Sequence, residues 1–225
     1  MKRVVIPELL DTDSGTPQEI ADSLADLRMF NRRFGGARAT TELLREVAVR
    51  RGLEALSFLD VAGASGDVAM LASRALRKSG IKMETVLLDR AHTHLNRALP
   101  GVCGDALALP FPDNAFDVVG CALFIHHLEP DQIVAFANEA LRVARHAFIV
   151  NDLLRNRLHW GFARVGSLIY KSRLTVHDSA ASVRRAYTVE EMRETLTRTK
   201  ASGVDIKTFY FFRMGVIAWK QPSTI

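Results

Sequence analysis

The segment from Ser57 to Met70, SFLDVAGASGDVAM, constrains the fold of this chain more than any other. An apolar run ends in an acid, Asp60, and a turn of small residues then leads into a helix that opens with Asp67. Small residues let the backbone approach a ligand closely, and the first N–H groups of the helix are free to bind polar atoms. The pattern predicts a strand, a tight turn and a helix built around a nucleotide, although such turns also occur for packing reasons alone.

Two acids at the ends of successive predicted strands indicate which kind of nucleotide would bind. A dinucleotide site presents its helix N–H groups to a pyrophosphate and keeps its acid for a ribose about 20 residues later. Asp60 instead precedes the turn, where it suits the cationic amino-acid end of a ligand. Asp89 closes the next apolar strand, METVLLD, and is placed to accept hydrogen bonds from ribose hydroxyls.

The run from Gly104 to Pro130 continues the same pattern. Asp105 follows a short strand, where its carboxylate would accept from an adenine amino group while the N–H of Ala106 meets a ring nitrogen. A turn rich in proline, PFPDN, then precedes an apolar strand over 116–124.

Strands and helices alternate through the middle of the chain, which predicts a parallel sheet covered by helices on both faces. The predicted strands are 55–61, 84–89, a short one near 102, 116–124 and 147–151. The predicted helices between them are 67–79, 92–98 and 130–143.

Before this core, Thr16, Pro17 and Glu19 predict a helix start with a capping box, and Gly35 predicts its end. A second helix is expected over about 40–51.

After the core, Thr188 and Glu191 predict another capping box and a helix to about Ala201. Strands over 204–212 and 214–220 are joined so tightly that the last one must run antiparallel to its partner.

Three motifs carry a resemblance to a known family: LDVAGASGD at 59–67, ALPFPDNAFD at 108–117 and MFNRRFGG at 29–36. On these residues the chain resembles the class I S-adenosylmethionine-dependent methyltransferases, and within them the ubiquinone and menaquinone C-methyltransferase family, over roughly residues 25–145. It departs from the family pattern at Ala64, where a glycine is usual, and in RVARHAFIV, which lacks the usual Lys-Pro-Gly-Gly turn. His126 and His127 also replace the residues usual after the fourth strand.

The resemblance implies an α/β fold: a Rossmann-like doubly wound sheet of seven strands, mostly parallel with an antiparallel C-terminal strand, plus N-terminal lid helices. We expect a single methyltransferase domain over 1–225. Its parts would be N-terminal lid helices over 1–52, a cofactor-binding core over 55–151, a substrate lid over 153–187, and a final helix and strand hairpin over 188–225.

The implied cofactor is S-adenosylmethionine. Asn31 of the first helix is a candidate for its carboxylate, with a merely polar helix end as the alternative. The full set of candidate cofactor-binding residues is Asn31, Asp60, Ala62, Gly63, Ala64, Asp67, Asp89, Arg90, Asp105, Ala106, Ala122 and Leu123.

Methyl transfer from a sulfonium requires positioning of the acceptor and removal of its proton. His126 and His127 follow the fourth strand, and histidine has the side-chain pKa nearest neutrality, so either is a candidate base unless it only packs the next turn. Asp152 is the third candidate catalytic residue. Asp152 and Asn151 would either bind the acceptor or cap the next helix. The expected acceptor is a small aromatic, quinone-like or polyketide molecule, methylated on oxygen or activated carbon.

Composition narrows the remaining classes of partner. No apolar run approaches a membrane span and MKRVVIPELLDTD turns acidic too soon for a signal peptide, so we expect a cytoplasmic protein. Cys103 and Cys121 fit reduced buried thiols, and no metal site is expected. The net charge of +5 is concentrated after Asn151, which fits a solvated helix face better than an anionic partner. A homodimer is left open.

Two other functions compete with methyl transfer. VAGASG also resembles the phosphate-binding turn of NAD(P)-dependent reductases, but Asp60 precedes it and no tyrosine has a lysine four residues later. A non-catalytic cofactor-binding or RNA-binding module of the same fold is supported only by the basic C-terminal third, so we do not expect a nucleic acid partner.

Overall fold

One seven-stranded sheet organises the chain, and the computed structural model describes residues 1–12, 14–95, 98–166 and 169–221. The strand order is β3-β2-β1-β4-β5-β7-β6, and β7 pairs antiparallel with both of its neighbours while the other pairings are parallel. The strands are β1 Ala55–Val61, β2 Lys82–Asp89, β3 Gly101–Cys103, β4 Phe116–Ala122, β5 Ala144–Leu153, β6 Gly203–Phe209 and β7 Arg213–Trp219. The predicted fold class is confirmed.

Seven α-helices lie within the described residues. They are α1 Pro17–Arg33, α2 Gly36–Arg51, α3 Asp67–Arg77, α4 Pro130–Val143, α5 Arg157–Val165, α6 Arg173–Arg185 and α7 Val189–Leu196. Both predicted capping boxes are present, Thr16 with Glu19 at α1 and Thr188 with Glu191 at α7. Each box satisfies two backbone N–H groups that would otherwise lack a partner, which fixes where the helix begins.

The sheet is covered on both faces, as the continuous apolar strands predict. On one face, Phe136 of α4 packs against Phe148 of β5, with ring centroids 5.0 Å apart. On the other face, Leu44 of α2 and Leu76 of α3 are fully buried beside Phe58 of β1. The carboxyl ends of β1, β2 and β4 are left facing one edge, where open α/β sheets bind ligands.

Two expected elements differ in the structure. In place of a helix over 92–98 there is one 3-10 turn, His92–His94, followed by Leu95 in an extended conformation; residues 96 and 97 lie outside the described part. The second helix begins at Gly36 rather than near residue 40. This helix, α2, is also not a lid, because its buried leucines and valine pack under the sheet.

The segment after β5 folds back over the sheet edge and is held against α1. Asp26 of α1 accepts hydrogen bonds from the N–H groups of Lys171 and Ser172, at 2.9 and 3.1 Å. Residues 1–12, here called the N-terminal strap, cross the same region, since Asp178 of α6 accepts from the N–H groups of Leu9 and Leu10. The strap, α1, α5 and α6 therefore form a layer above the carboxyl ends of the strands.

Candidate functional site

The turn after β1 is shaped for close approach by a ligand. Ala62 and Ala64 adopt left-handed backbone angles, φ 56° and 43°, and Gly66 follows at 71°. A non-glycine residue rarely adopts this conformation, and such strain is concentrated at functional sites. At Gly63 a Cβ atom would lie 2.9 Å from the Asp60 carboxyl carbon, so only glycine lets the turn close over that acid.

Asp60 lies at the base of this turn and is 3% exposed. Burial, with a smaller contribution from the charge of Asp89, raises the pKa of Asp60 to about 7. A buried carboxyl group without a cation is costly, because desolvation opposes its ionised form. The group is therefore suited to a positively charged ligand atom that would restore its charge.

Asp89 at the end of β2 fixes the neighbouring backbone and faces the same space. Its Oδ2 accepts from the N–H of Ala64 at 3.1 Å and its Oδ1 from the N–H of Ala91 at 2.9 Å. Each carboxylate oxygen has a second lone pair, so both can also accept from a ligand hydroxyl. Asp67, the first residue of α3, accepts a short hydrogen bond from the Ser65 hydroxyl.

The other predicted cofactor-binding residues border the same space. Asp105 is exposed and accepts from the N–H of Leu107 at 2.9 Å, while Ala106 is buried beneath it. Ala122 ends β4, and Leu123 follows in a left-handed conformation, φ 57°, with its N–H donating to the Asn151 carbonyl. The remaining two, Arg90 and Asn31, line the cavity that the other residues border.

His126 lies between two carboxylates. Its Nδ1 is 2.6 Å from Asp152 Oδ1, and its Nε2 is 3.5 Å from Glu8 Oε1 of the strap. Burial lowers the pKa of His126, but the charges and hydrogen bonds of Asp152 and Glu8 outweigh burial and raise it to about 10. The ring is consequently an imidazolium at neutral pH, held in one orientation by Asp152.

His127 is less buried and has its own carboxylate. Its Nδ1 is 3.1 Å from Asp11, its Nε2 is 3.9 Å from Glu8, and its ring centroid is 4.2 Å from that of His126. Arg185 of α6 donates to the His127 carbonyl at 2.8 Å and to Asp11 at 3.2 Å. The hydrogen bond and charge of His127, together with Arg185, outweigh burial and lower the pKa of Asp11.

The donor atoms of Glu8, His126 and His127 lie within 4.8 Å of one another, a grouping that meets the residue requirement for a metal ion. Ligation needs a histidine nitrogen without a proton. His126 is paired with Asp152 and Glu8 as an imidazolium, so a metal ion at this cluster would have to displace the proton on Nε2.

The two strand-end residues of β5 have different positions. Asp152 is 2% exposed and lies behind His126, so it positions that ring and does not itself border the cavity. Asn151 points to the opposite side, where its amide donates to the carbonyl of Gly36 and the hydroxyl of Thr40. It ties β5 to α2, which is neither of the roles expected for it.

Of the residues predicted for the site, all except Asp152 border one cavity of about 1530 Å³. The predicted residues in its wall are Asn31, Asp60, Ala62, Gly63, Ala64, Asp67, Asp89, Arg90, Asp105, Ala106, Ala122, Leu123, His126 and His127. The part beneath α1, α5 and α6 is aromatic, and its rings include Phe30, Phe34, His159, Phe162, Tyr170 and Phe211. The cavity therefore has a polar wall formed by the β-strand ends and an aromatic wall formed by the layer above them.

Sequence reasoning missed several residues of this cavity: Glu8, Asp11, His159, Arg185 and Arg213. The strap offered only a weak signal, since two acids in a short N-terminal segment are common on any surface. Arg213 was a stronger signal, because it is a lone charge in the apolar run FYFFRMGVIAW.

Comparison with known proteins agrees with this geometry. Residues 59–147 match the family model described as "Methyltransferase domain". The ubiquinone/menaquinone biosynthesis C-methyltransferases UbiE of Roseobacter denitrificans and Ruegeria sp. are 39% and 37% identical over 99 and 98 residues, 39% of this chain. The matched region spans 37% of the length of those relatives.

Solved structures extend the likeness to the fold. The plantazolicin methyltransferase BpumL, in complex with a pentazolic desmethylPZN analog and SAH, has a TM-score of 0.67 at 13% identity, with 95% of both chains covered. The CMeT domain of the citrinin polyketide synthase has a TM-score of 0.53 at 10% identity, covering 74% of this chain and 47% of that one. Residues 59–147 thus resemble a methyltransferase domain, and the chain as a whole has the fold of these solved methyltransferases.

Proposed function

We propose that this chain transfers a methyl group from S-adenosylmethionine to oxygen or activated carbon of a small aromatic, quinone-like or polyketide acceptor. One observation carries the proposal: the acids at the ends of β1 and β2 and the pair His126–His127 after β4 border the same cavity. The likeness to UbiE proteins favours a quinone-like acceptor within this range.

The residues of the polar wall fit the proposed cofactor group by group. Buried Asp60 would hold the cationic amino group and become ionised as it does so. Asp89 would accept from the ribose hydroxyls, and Asp105 with the N–H of Ala106 would read the adenine edge. The left-handed turn at Ala62 and Ala64 gives the ligand access to the backbone.

On the acceptor side, the proposed roles of the histidines follow from their carboxylate partners. S-adenosylmethionine supplies a methyl group already activated as a sulfonium. His126, as the imidazolium, would donate a hydrogen bond to an ionised acceptor oxygen, replacing its long contact to Glu8. His127, which borders the cavity beside Asp11, is the candidate for removing the acceptor's proton. Asp152 acts through His126 as a positioning residue.

The contacts of the basic residues after Asn151 bear on the competing function, nucleic acid binding. Several of the basic residues after Asn151 are already engaged: Arg155 with Glu191, Arg173 with Glu19 and Arg185 with Asp11. This leaves less positive charge for a nucleic acid backbone than the sequence suggested. No described helix has the length and apolarity needed to cross a bilayer. We propose a cytoplasmic enzyme and leave dimerisation to measurement.

Calorimetry with S-adenosylmethionine, its demethylated product, NAD and NADP tests the proposal. We expect binding of the first two only. Tight NADP binding without binding of S-adenosylmethionine would overturn it. Isotope transfer from labelled S-adenosylmethionine to hydroxylated aromatics, hydroquinones and β-ketoacyl thioesters would then identify the acceptor class.

A further inference from the structure

Arg213 is a buried cation within the cavity that the proposed mechanism does not use. It is the first residue of β7, paired in register with Leu153 of β5 and Phe209 of β6. Only 3% of its surface is exposed, yet it borders the cavity. A buried charge is normally paired, so the environment of this guanidinium indicates what it is for.

The protein satisfies this guanidinium only in part. Arg213 Nη2 donates to Asn31 Oδ1 at 3.2 Å, whereas Nη1 is buried and has no hydrogen-bond partner. Among the residues that the structure describes, no carboxylate lies within 4.0 Å of it. The charge of Asp152 acts on Arg213, but its Oδ1 is already 2.6 Å from the His126 ring.

The surroundings of Arg213 are flat and aromatic. His159 stacks on Phe212 with ring centroids 5.0 Å apart, and Phe211 packs against Phe34 of α1 at 4.9 Å. Burial, with the charge of Arg213 as a smaller cause, lowers the pKa of His159 to about 4, so this ring is neutral. A planar ligand would find stacking partners here and one unpaired cation.

We propose that Arg213 binds the carboxylate of an aromatic acceptor, with Nη1 donating to a carboxylate oxygen while the acceptor ring packs against the aromatic wall. This rests on the proposed function and, within its range of acceptors, selects a small aromatic acid over the quinone-like molecule that the likeness to UbiE proteins alone would favour. The guanidinium can donate two parallel hydrogen bonds to a carboxylate, and pairing removes the unpartnered donor. Because the guanidinium is buried and its Nη1 has no partner, a neutral amide of the same shape would not compensate its charge and should bind more weakly.

The test uses a matched pair of probes, 4-hydroxybenzoate and 4-hydroxybenzamide, titrated into the protein loaded with S-adenosylhomocysteine. We expect the carboxylate to bind at least about tenfold more tightly than the amide, and Arg213→Met to remove that preference. Arg213→Lys should retain part of it, since the charge remains but the planar fork is lost. Arg28→Met is the matched control, because Arg28 is an exposed arginine on the same cavity wall.

Three results would overturn the proposal. They are equal binding of the two probes, no binding of 4-hydroxybenzoate at about 10 mM, and a preference that survives in a folded Arg213→Met variant. A fourth concerns the cofactor. If Arg213→Met weakens S-adenosylhomocysteine but not 5′-methylthioadenosine, which lacks the amino-acid end, then Arg213 serves the cofactor's carboxylate instead. If the wild-type protein binds no S-adenosylhomocysteine at all, the proposed function fails independently.

Discussion

The two walls of the cavity are built in different ways. In the polar wall, contacts join residues that are close in the chain, such as Ala64 and Asp89, 25 positions apart. On the acceptor side, which comprises the aromatic wall and the pair His126–His127, contacts join distant residues: Asp11 to His127 across 116 positions and Asn31 to Arg213 across 182. The first wall is a property of successive strand-and-turn units, whereas the second exists only when both ends of the chain meet above the sheet.

Because their contacts differ in this way, the two walls should respond separately to mutation. Changes in the polar wall should alter cofactor affinity and leave the acceptor step intact, and changes among the histidines should do the reverse. Three substitutions test that separation and a fourth tests the backbone strain of the turn, beginning with the one for which we expect the largest effect.

His126→Gln should lower methyl-transfer turnover by about 10²- to 10⁴-fold while the cofactor dissociation constant stays within about twofold, because proton and anion handling acts on the acceptor side. Single-turnover transfer from labelled S-adenosylmethionine and calorimetry measure the two quantities. His177→Gln is the control, since that histidine is paired with Asp178 but is exposed. A parallel loss of cofactor affinity in His126→Gln would mean that the walls are not separable.

Asp60→Asn should weaken S-adenosylhomocysteine by about 100-fold at pH 8 and leave 5′-methylthioadenosine unchanged, because only the former has a cationic amino-acid end. In the wild-type protein the affinity should fall as the pH drops below about 7, where Asp60 becomes protonated. Asp131→Asn, at a side chain that is 87% exposed, serves as the control.

The same substitution has a predicted effect on stability. The folded-state pKa of Asp60, about 7, lies above the value of 3.8 for an unperturbed group, so the unfolded chain loses this proton first as the pH rises. The free energy of unfolding therefore falls as the pH rises from 3.8 to about 7. Above pH 7 the buried Asp60 lowers it by its full amount, on the order of 4 kcal/mol. Asp60→Asn should raise the melting temperature of the ligand-free protein at pH 8 but not at pH 4; an equal rise at both would refute this origin.

Asp89→Ala should weaken both S-adenosylhomocysteine and 5′-methylthioadenosine by roughly tenfold, because both ligands keep the ribose hydroxyls that the carboxylate would accept. Circular dichroism should confirm that the fold is retained. If only one of the two nucleosides loses affinity, Asp89 does not contact the ribose.

Ala64→Gly should have the smallest effect, a gain in unfolding free energy of roughly 0.5–1 kcal/mol. The substitution removes the backbone strain of an alanine in the left-handed conformation. This gain exceeds, by about that amount, the loss caused by the larger conformational entropy of glycine in the unfolded chain. Ala75→Gly, within helix α3, should instead lose about 1 kcal/mol. Urea denaturation of both variants measures the difference, and destabilisation at residue 64 would contradict the strain argument.

The walls also differ in how far the sequence predicted them. The strand ends, the turn at Ala62–Ala64 and the capping boxes follow from short-range rules, and they were predicted with nearly correct bounds. The partners of His126 were only half predicted: Asp152 was in the candidate set, but Glu8 was not, because nothing local relates a residue of the strap to one after β4. The departure at Ala64 was visible in the sequence, but its left-handed conformation was not.

The hairpin of β6 and β7 is among the last parts of the chain to be synthesised, and it contacts some of the first. Phe211 and Phe212 adopt left-handed backbone angles and pack against His159, while Arg213 contacts Asn31 of the first helix. Residues near the C-terminus thus complete a surface that begins at the N-terminus. During synthesis on a ribosome, the strand ends that form the polar wall emerge well before this hairpin. The wall that we propose to bind the cofactor is therefore made before the wall that we propose to bind the acceptor.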